Sequence, residues 1–486
     1  MDRRAFLAAA AGTGLSVLTP ELALARSAMA LPAWAPAVTD IEGDLAPRPL
    51  KRVHGRAPKG LKGVLFRNGP AKFRRPGGDA GHWFDGDGLV RAFRIGEDGQ
   101  ARVSARFVDT FKRRQDEAAG MMVSGGFGTK AKAGARVASA DDTNCANTAL
   151  LAIGGELLAL WEAGSPYALD PETLATRGLK TFRPDLAHMP FLAHPRVEPG
   201  GRVWNLGLAG RHAFVWTLNP DGSLERTAMI QLPRASYIHD FTATERHLVI
   251  VLQPWIQDKQ TLPFKDSMTW RPDLGTQVLV LDKDDLTRRR VFELPPFFCF
   301  HLGDAWAEQD GTIHFDACIS DDAGFAAQGG FDLIAYRQPA PSPTRLALVT
   351  LHADGKADMM TPALPAEFPK ADPRFAGHAR RRTAINTVDG RDGKPFLQGV
   401  AVADWKTGKA DVFDFGEHQV AEEMVFVPRP GARAEMDGWL VGTSVNLKAR
   451  ATELHVFDAG RVSDGPVVTW RADLALPMGF HGTFVG

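Results

Sequence analysis

The strongest constraint on how this chain can fold is a rhythm that runs from about residue 40 to the end. Short apolar runs follow one another, each broken by Gly, Asp, Asn or Pro. LLAIGGELLALWEAG (150–164), HAFVWTLNPDGSL (212–224), HLVIVLQP (247–254) and TQVLVLDKDD (276–285) show it, with turn phrases such as NPDG, EPGG and EQDG between them. Apolar runs of that length, punctuated by turn formers, read as strand–turn–strand and hence as an all-β protein. Helical periodicity is scarce; QDEAAGMM (115–122) and PDLAHMPFLA (184–193) are the segments expected to carry short helices. Similar strand endings recur, as in LDPETL (169–174) and LDKDDL (281–286). A loose repeat of about 50–65 residues over this length gives about seven units, as in a β-propeller. A pair of β-sandwiches is the competing architecture. No linker or low-complexity tract divides the chain, so residues 31–486 are expected to form a single domain.

The first thirty residues stand apart. Arg3-Arg4 precede Phe6-Leu7 and a mildly apolar stretch, and Ala23-Leu24-Ala25 and Ala28-Met29-Ala30 are small-x-small cleavage candidates. This predicts a twin-arginine signal peptide over residues 1–30, and so export to the periplasm or beyond. Basic and acidic residues balance at 57 each, with no basic run, which speaks against a nucleic-acid partner. Three cysteines (Cys145, Cys299, Cys318) give no C-x-x-C pair and no even disulfide framework. Cys299 and Cys318 read as buried apolar residues.

Four of the 14 histidines open turn-like or strand-end phrases: His194 in LAHPRVEPGG, His239 in YIHDFTATE, His301 in FFCFHLGDAWAE and His481 in LPMGFHGTFV. They are spread over most of the chain at intervals near one, one and three repeat lengths. In a propeller the inner end of each blade points at one axis, so ligands this far apart can meet without a local motif. Four neutral imidazoles would suit Fe(II), Zn(II) or Cu(II). His212, His247, His314 and His455 read as strand or surface histidines. Metal-bound imidazoles need their second nitrogen held. Glu162 (ALWEAG), Glu367 (PAEFPK) and Glu423 (EEMVFV) stand in apolar surroundings where an exposed glutamate would be awkward.

With these residues laid out, the chain resembles the carotenoid cleavage oxygenases. FRNGPAKF (66–73) followed by HWFDGDGLVRAFRI (82–95) is similar to that family's opening signature, and the LAHP, HDF, FHLGDAWAE and GFHG phrases resemble its four ligand motifs in order. The resemblance implies a seven-bladed β-propeller with Fe(II) on its axis, capped by loops and short helices that form an apolar tunnel. It implies His194, His239, His301 and His481 as iron ligands, Glu162, Glu367 and Glu423 as their hydrogen-bond partners, and Thr148 beside an open iron position. The implied activity is dioxygenase cleavage of a C=C bond in a carotenoid, apocarotenoid or related conjugated substrate. Stilbene-type cleavage and isomerisation are the alternatives within the family; a metal-dependent hydrolase and a non-enzymatic propeller lie outside it. Where stilbene-cleaving members grip a phenol with tyrosine and lysine, this chain is expected to place Phe107 and Thr143. Asp85 and Asp87 are read as turn formers. An apolar substrate also implies peripheral membrane contact, with HMPFLA (188–193) and PWIQDKQTLPF (254–264) as the expected segments. Nothing in the sequence indicates an oligomeric state.

Overall fold

The computed structural model describes residues 31–390 and 394–486. The expected signal segment, residues 1–30, lies outside the described residues. Among the described residues there are seven antiparallel sheets of four or five strands and one separate two-stranded hairpin (Trp255–Gln257 with Met268–Trp270). Seven separate sheets, rather than two stacked ones, exclude the sandwich alternative.

Each sheet is a blade. Blade 2 begins with the strand Ala149–Ile153, blade 3 with Arg196–Val197, blade 4 with Thr242–Ala243, blade 5 with Phe298–Ala307, blade 6 with Glu367–Lys370 and blade 7 with Gln419–Pro428. Blade 1 has Gly482–Val485 at one edge, paired with Gly63–Arg67. From blade 4 onward these edge strands lie against one another round the axis, closing through Gly482–Val485 onto blade 2. The ring is sealed twice. The C-terminal strand completes blade 1, and the N-terminal strand Lys51–Gly55 completes blade 7 by pairing with Val468–Arg471.

The near-continuous apolar runs follow from this packing. A blade is covered on both faces by its neighbours, so both sets of alternating side chains are buried. In HLVIVL, Leu248, Ile250 and Leu252 join the core shared with blade 3, whereas Val249 and Val251 join the core shared with blade 5. Such an apolar cluster fills each of the seven interfaces between neighbouring blades.

Three local expectations are corrected. The first expected helix forms earlier, as Phe111–Ala119, because Thr110 caps its start (Arg113 N–H to Thr110 Oγ1, 3.0 Å) and Gly120, at φ 62°, ends it. The second reduces to the 3₁₀ turn Pro184–Leu186; Phe191 and Leu192 beyond it enter the blade core. Asp85 and Asp87 are buried rather than plain turn formers. Asp85 accepts the backbone N–H groups of Phe127, Gly128 and Thr129. Asp87 is paired with Arg75 (2.6 Å) and Lys112 (3.1 Å), and Lys112 also holds Asp116 (2.8 Å). Both carboxylates tie the 82–88 stretch to later segments.

Candidate metal centre

At one end of the propeller axis the blades converge on a small group of side chains, roughly one per blade. Blade 1 brings His481, blade 2 Thr148, blade 3 His194, blade 4 His239, blade 5 His301, blade 6 Glu367 and blade 7 Glu423. Each lies within, or a few residues before, its blade's first strand or, in blade 1, the C-terminal strand. Three of these strands break register where the residue sits: between Cys299 and Leu302, between Glu367 and Lys370, and between Ala421 and Met424. A bulge adds a residue and re-aims the side chain. That is how His301, Glu367 and Glu423 turn toward the axis while their strands stay in the sheet.

The four histidines meet. One nitrogen of each lies within 4.8 Å of the others. His194 Nε2 is 3.0 Å from His239 Nε2, and His301 Nε2 is 3.1 Å from His481 Nε2. Three of the rings have the opposite nitrogen held by a carboxylate: His239 Nδ1 by Glu162 (2.7 Å), His301 Nδ1 by Glu367 (2.5 Å) and His481 Nδ1 by Glu423 (2.8 Å). Among the described residues no carboxylate holds His194. The carboxylates are themselves fixed. The Tyr237 hydroxyl donates to Glu162 (3.1 Å), the Phe368 amide to Glu367 (3.0 Å), and the Gly482 amide to Glu423 (2.7 Å).

The donor set fits a metal ion. A carboxylate on Nδ1 fixes the proton there and leaves the lone pair on Nε2. His301 and His481 therefore aim two lone pairs at each other across 3.1 Å with no proton to share. A cation between them removes that repulsion. A metal–nitrogen bond of about 2.1 Å gives a right-angle N–N edge of about 3.0 Å, which both short pairs match. Burial also keeps the rings neutral: it pushes His481 down to about 3, and it lowers His194 strongly with help from the other three rings. Burial alone would raise Glu423, but Lys370 and His481 outweigh it and hold this carboxyl well below the usual range. The four histidines are thus positioned to bind a metal.

Above them lies a cavity of about 1070 Å³, walled largely by apolar groups, with a cluster of aromatic side chains among them. Phe84, Phe127, Phe298, Phe300, Phe325 and Phe480 contribute to it, with edge-on contacts such as Phe300 against His239 (5.4 Å between ring centres). Thr148, Glu162, His239, His301 and His481 are in its wall. Thr148 is buried, with its hydroxyl turned to Asn147 Oδ1 (3.1 Å). Of the two positions expected to mark phenol recognition, Thr143 lines the cavity. Phe107 does not: it packs in the core between blades 1 and 7 because its strand turns it inward. Cys299 and Cys318 are buried as expected, and both also reach the cavity wall.

Sequence reading passed over three residues. Tyr237, two before His239, was readable in principle, since alternate residues of an extended segment share a side. Phe368 and Lys370 were not, because the bulge in their strand breaks that alternation.

Residues 38–486 match the family described as retinal pigment epithelial membrane protein. Among curated proteins, the apocarotenoid-15,15'-oxygenase of Synechocystis sp. is 30% identical, over 89% of this chain and 92% of its own. Resveratrol cleavage oxygenase 1 of Aspergillus fumigatus is 29% identical, over 92% and 93%. The isoeugenol monooxygenase of Pseudomonas nitroreducens is 28% identical, over 92% and 96%. Among solved structures, cobalt-substituted Synechocystis apocarotenoid oxygenase superposes with a TM-score of 0.83 at 26% identity, covering 93% of this chain and 98% of that one.

Proposed function

The chain belongs to the carotenoid cleavage oxygenase family, and from this premise we propose that it uses dioxygen to split a C=C bond of a long conjugated apolar substrate into two carbonyl products. The observation that carries this reading is the four-histidine cluster, braced by three carboxylates, at the wall of an aromatic cavity.

His194, His239, His301 and His481 hold Fe(II) in this reading, and Glu162, Glu367 and Glu423 orient three of them. Iron held there would supply the one-electron chemistry that activates dioxygen. Everything else is done by the chain. The glutamates keep Nδ1 protonated and Nε2 free. The aromatic wall excludes water and grips the conjugated chain by shape, since such a chain offers few hydrogen bonds. Blade 2 supplies no imidazole: its Glu162 braces His239, and its Thr148 has a short side chain that leaves room for dioxygen on that side. No ionisable side chain is asked to transfer a proton, because the net reaction adds two oxygen atoms and moves no proton.

Cavity size supports a long substrate. The volume of about 1070 Å³ lies just above the roughly 300–1,000 Å³ usual for small-molecule sites. That favours an apocarotenoid-like chain over one aryl alkene. A phenolic stilbene is the second reading, favoured by relatives named for resveratrol and lignostilbene.

We also propose export by the twin-arginine route, on the strength of Arg3-Arg4 and the apolar run behind them, with residues 31–486 as the exported catalytic domain. Peripheral membrane contact is proposed at the cavity mouth. There Val137 and Leu262 are exposed apolar residues, in segments that also expose Lys130, Lys132, Arg136 and Lys259. The segment 188–193 has no part in it, since Phe191 and Leu192 are buried.

Anaerobically purified protein should carry about one iron, consistent with a single four-ligand site. Replacing His239 or His481 by alanine should remove both iron and turnover. With ¹⁸O₂, each carbonyl product should gain one labelled oxygen. An isomerase would incorporate none, and a hydrolase would work without oxygen; either result ends this reading.

A further inference from the structure

We propose that Lys370 sets the charge of the four-histidine site, and thereby how tightly the site holds a divalent ion and how readily that ion loses an electron. The inference rests on the metal-binding reading above and goes beyond it.

The three carboxylates behind the imidazoles are not equivalent. Glu162 and Glu367 each face a histidine, and among the described residues neither carboxylate is paired with a lysine or arginine. Glu423 does have such a partner: Lys370 Nζ lies 3.0 Å from the same Oε1 that accepts from His481 Nδ1. The Glu423 side chain is fully buried, whereas that of Lys370 is 34% exposed. Arg67 also lies close, but it donates to the backbone carbonyl of Glu423, not to its carboxylate.

Placement explains how one strand serves two ligands. Lys370 follows Glu367 by three residues on the first strand of blade 6, across the register break. Glu367 turns to His301 of blade 5, and Lys370 turns the other way, to Glu423 of blade 7. Lys370 is not part of the cavity wall, so it is placed to act on the site without touching substrate.

Counting only the groups bonded to the imidazoles and to their carboxylates, three carboxylates and one ammonium leave two negative charges. That matches a divalent ion. Without the ammonium, the surroundings favour a trivalent one. Lys370 thus opposes the one-electron oxidation of the ion, in which the electron passes to dioxygen or to a chemical mediator.

The test compares metal-free wild type with H481A, K370M and K370R, titrated with Co(II) and followed by visible absorption. The iron-loaded wild type and Lys370 variants are then titrated against redox mediators. Wild type should bind one Co(II) and H481A none. K370M should bind Co(II) on the order of tenfold more tightly, the size expected for one unit charge near a partly solvated dication. Its Fe(III)/Fe(II) midpoint potential should be lower than wild type, and K370R should match wild type in both readouts. A K370M protein unchanged in both readouts overturns the inference. So does one that binds Co(II) more weakly, because Lys370 would then only anchor Glu423. Wild type that takes up no Co(II), or H481A that binds like wild type, fails the metal reading itself and the inference with it.

Discussion

At the scale of single residues, the centre is held by backbone as much as by side chains. Phe368 has φ 56°, a left-handed conformation that an aromatic residue rarely adopts. It makes three contacts from there. Its amide donates to Glu367 Oε2, and its ring lies 5.0 Å from that of His301 and 5.4 Å from that of His481. Strain of this kind is about 1–3 kcal/mol and persists where surrounding structure enforces it. Glycine carries no such penalty. In the metal-free protein F368G should therefore be more stable than F368A by about 1 kcal/mol, the reverse of the usual order within a strand. Urea unfolding of the two variants measures this, and equal stabilities would show that the backbone there is relaxed. This strain marks the limit of what could be read from the chain. The four histidines and the three glutamates were legible because each stands out against apolar neighbours. Phe368 and Lys370 were not, since EFPK looks like any strand start until the bulge turns its residues in opposite directions.

At the scale of elements, the apolar runs told more than their lengths suggest. LVIVL has too few residues for a helix and no polar face, which is the pattern of a strand covered on both sides. The segments that tie non-neighbouring stretches together were hidden, because their partners are far apart in sequence. Asp87 is the clearest case: its carboxylate joins Arg75 and Lys112 in a fully buried group linking the 82–88 turn to the helix Phe111–Ala119. Removing one partner of such a pair leaves buried charge uncompensated, so D87N should lose about 3–5 kcal/mol in chemical denaturation. A loss under 1 kcal/mol would mean that water reaches the group. Blade 7 offers a pH test. His455 is buried between Ser444 and Thr469, and burial pushes it down to about 4; His82, also buried, is pushed down to about 3. Between pH 6.5 and 4 the unfolded chain binds a proton at each of these sites and the folded chain does not. Stability should therefore fall as pH falls through that window, by up to about 1.4 kcal/mol per pH unit for each such group. H455Q should flatten the dependence by one group's share, measured as unfolding free energy at pH 7, 6 and 5.

At the scale of the whole molecule, the ring does two jobs with one geometry. Seven blades bring distant residues to the axis, and the same end of the axis opens into an apolar cavity whose mouth carries exposed apolar residues. A substrate that fills such a cavity dissolves poorly in water and is delivered most readily from a bilayer. Val137 is 42% exposed and Leu262 46%, both at the cavity mouth, in segments that also expose lysines on each side. Inserting two such side chains contributes about 1.5–3 kcal/mol each when burial is complete, and the lysines add attraction to an anionic surface. The double variant V137S/L262S should therefore sediment with anionic vesicles at least about tenfold less well than wild type, since partial burial of the pair already exceeds about 1.4 kcal/mol. Its kcat/KM should fall further for substrate embedded in vesicles than for the same substrate in detergent micelles, because only the first requires docking. An equal fall in both would place these residues in the cavity wall alone and remove the support for membrane contact at the mouth.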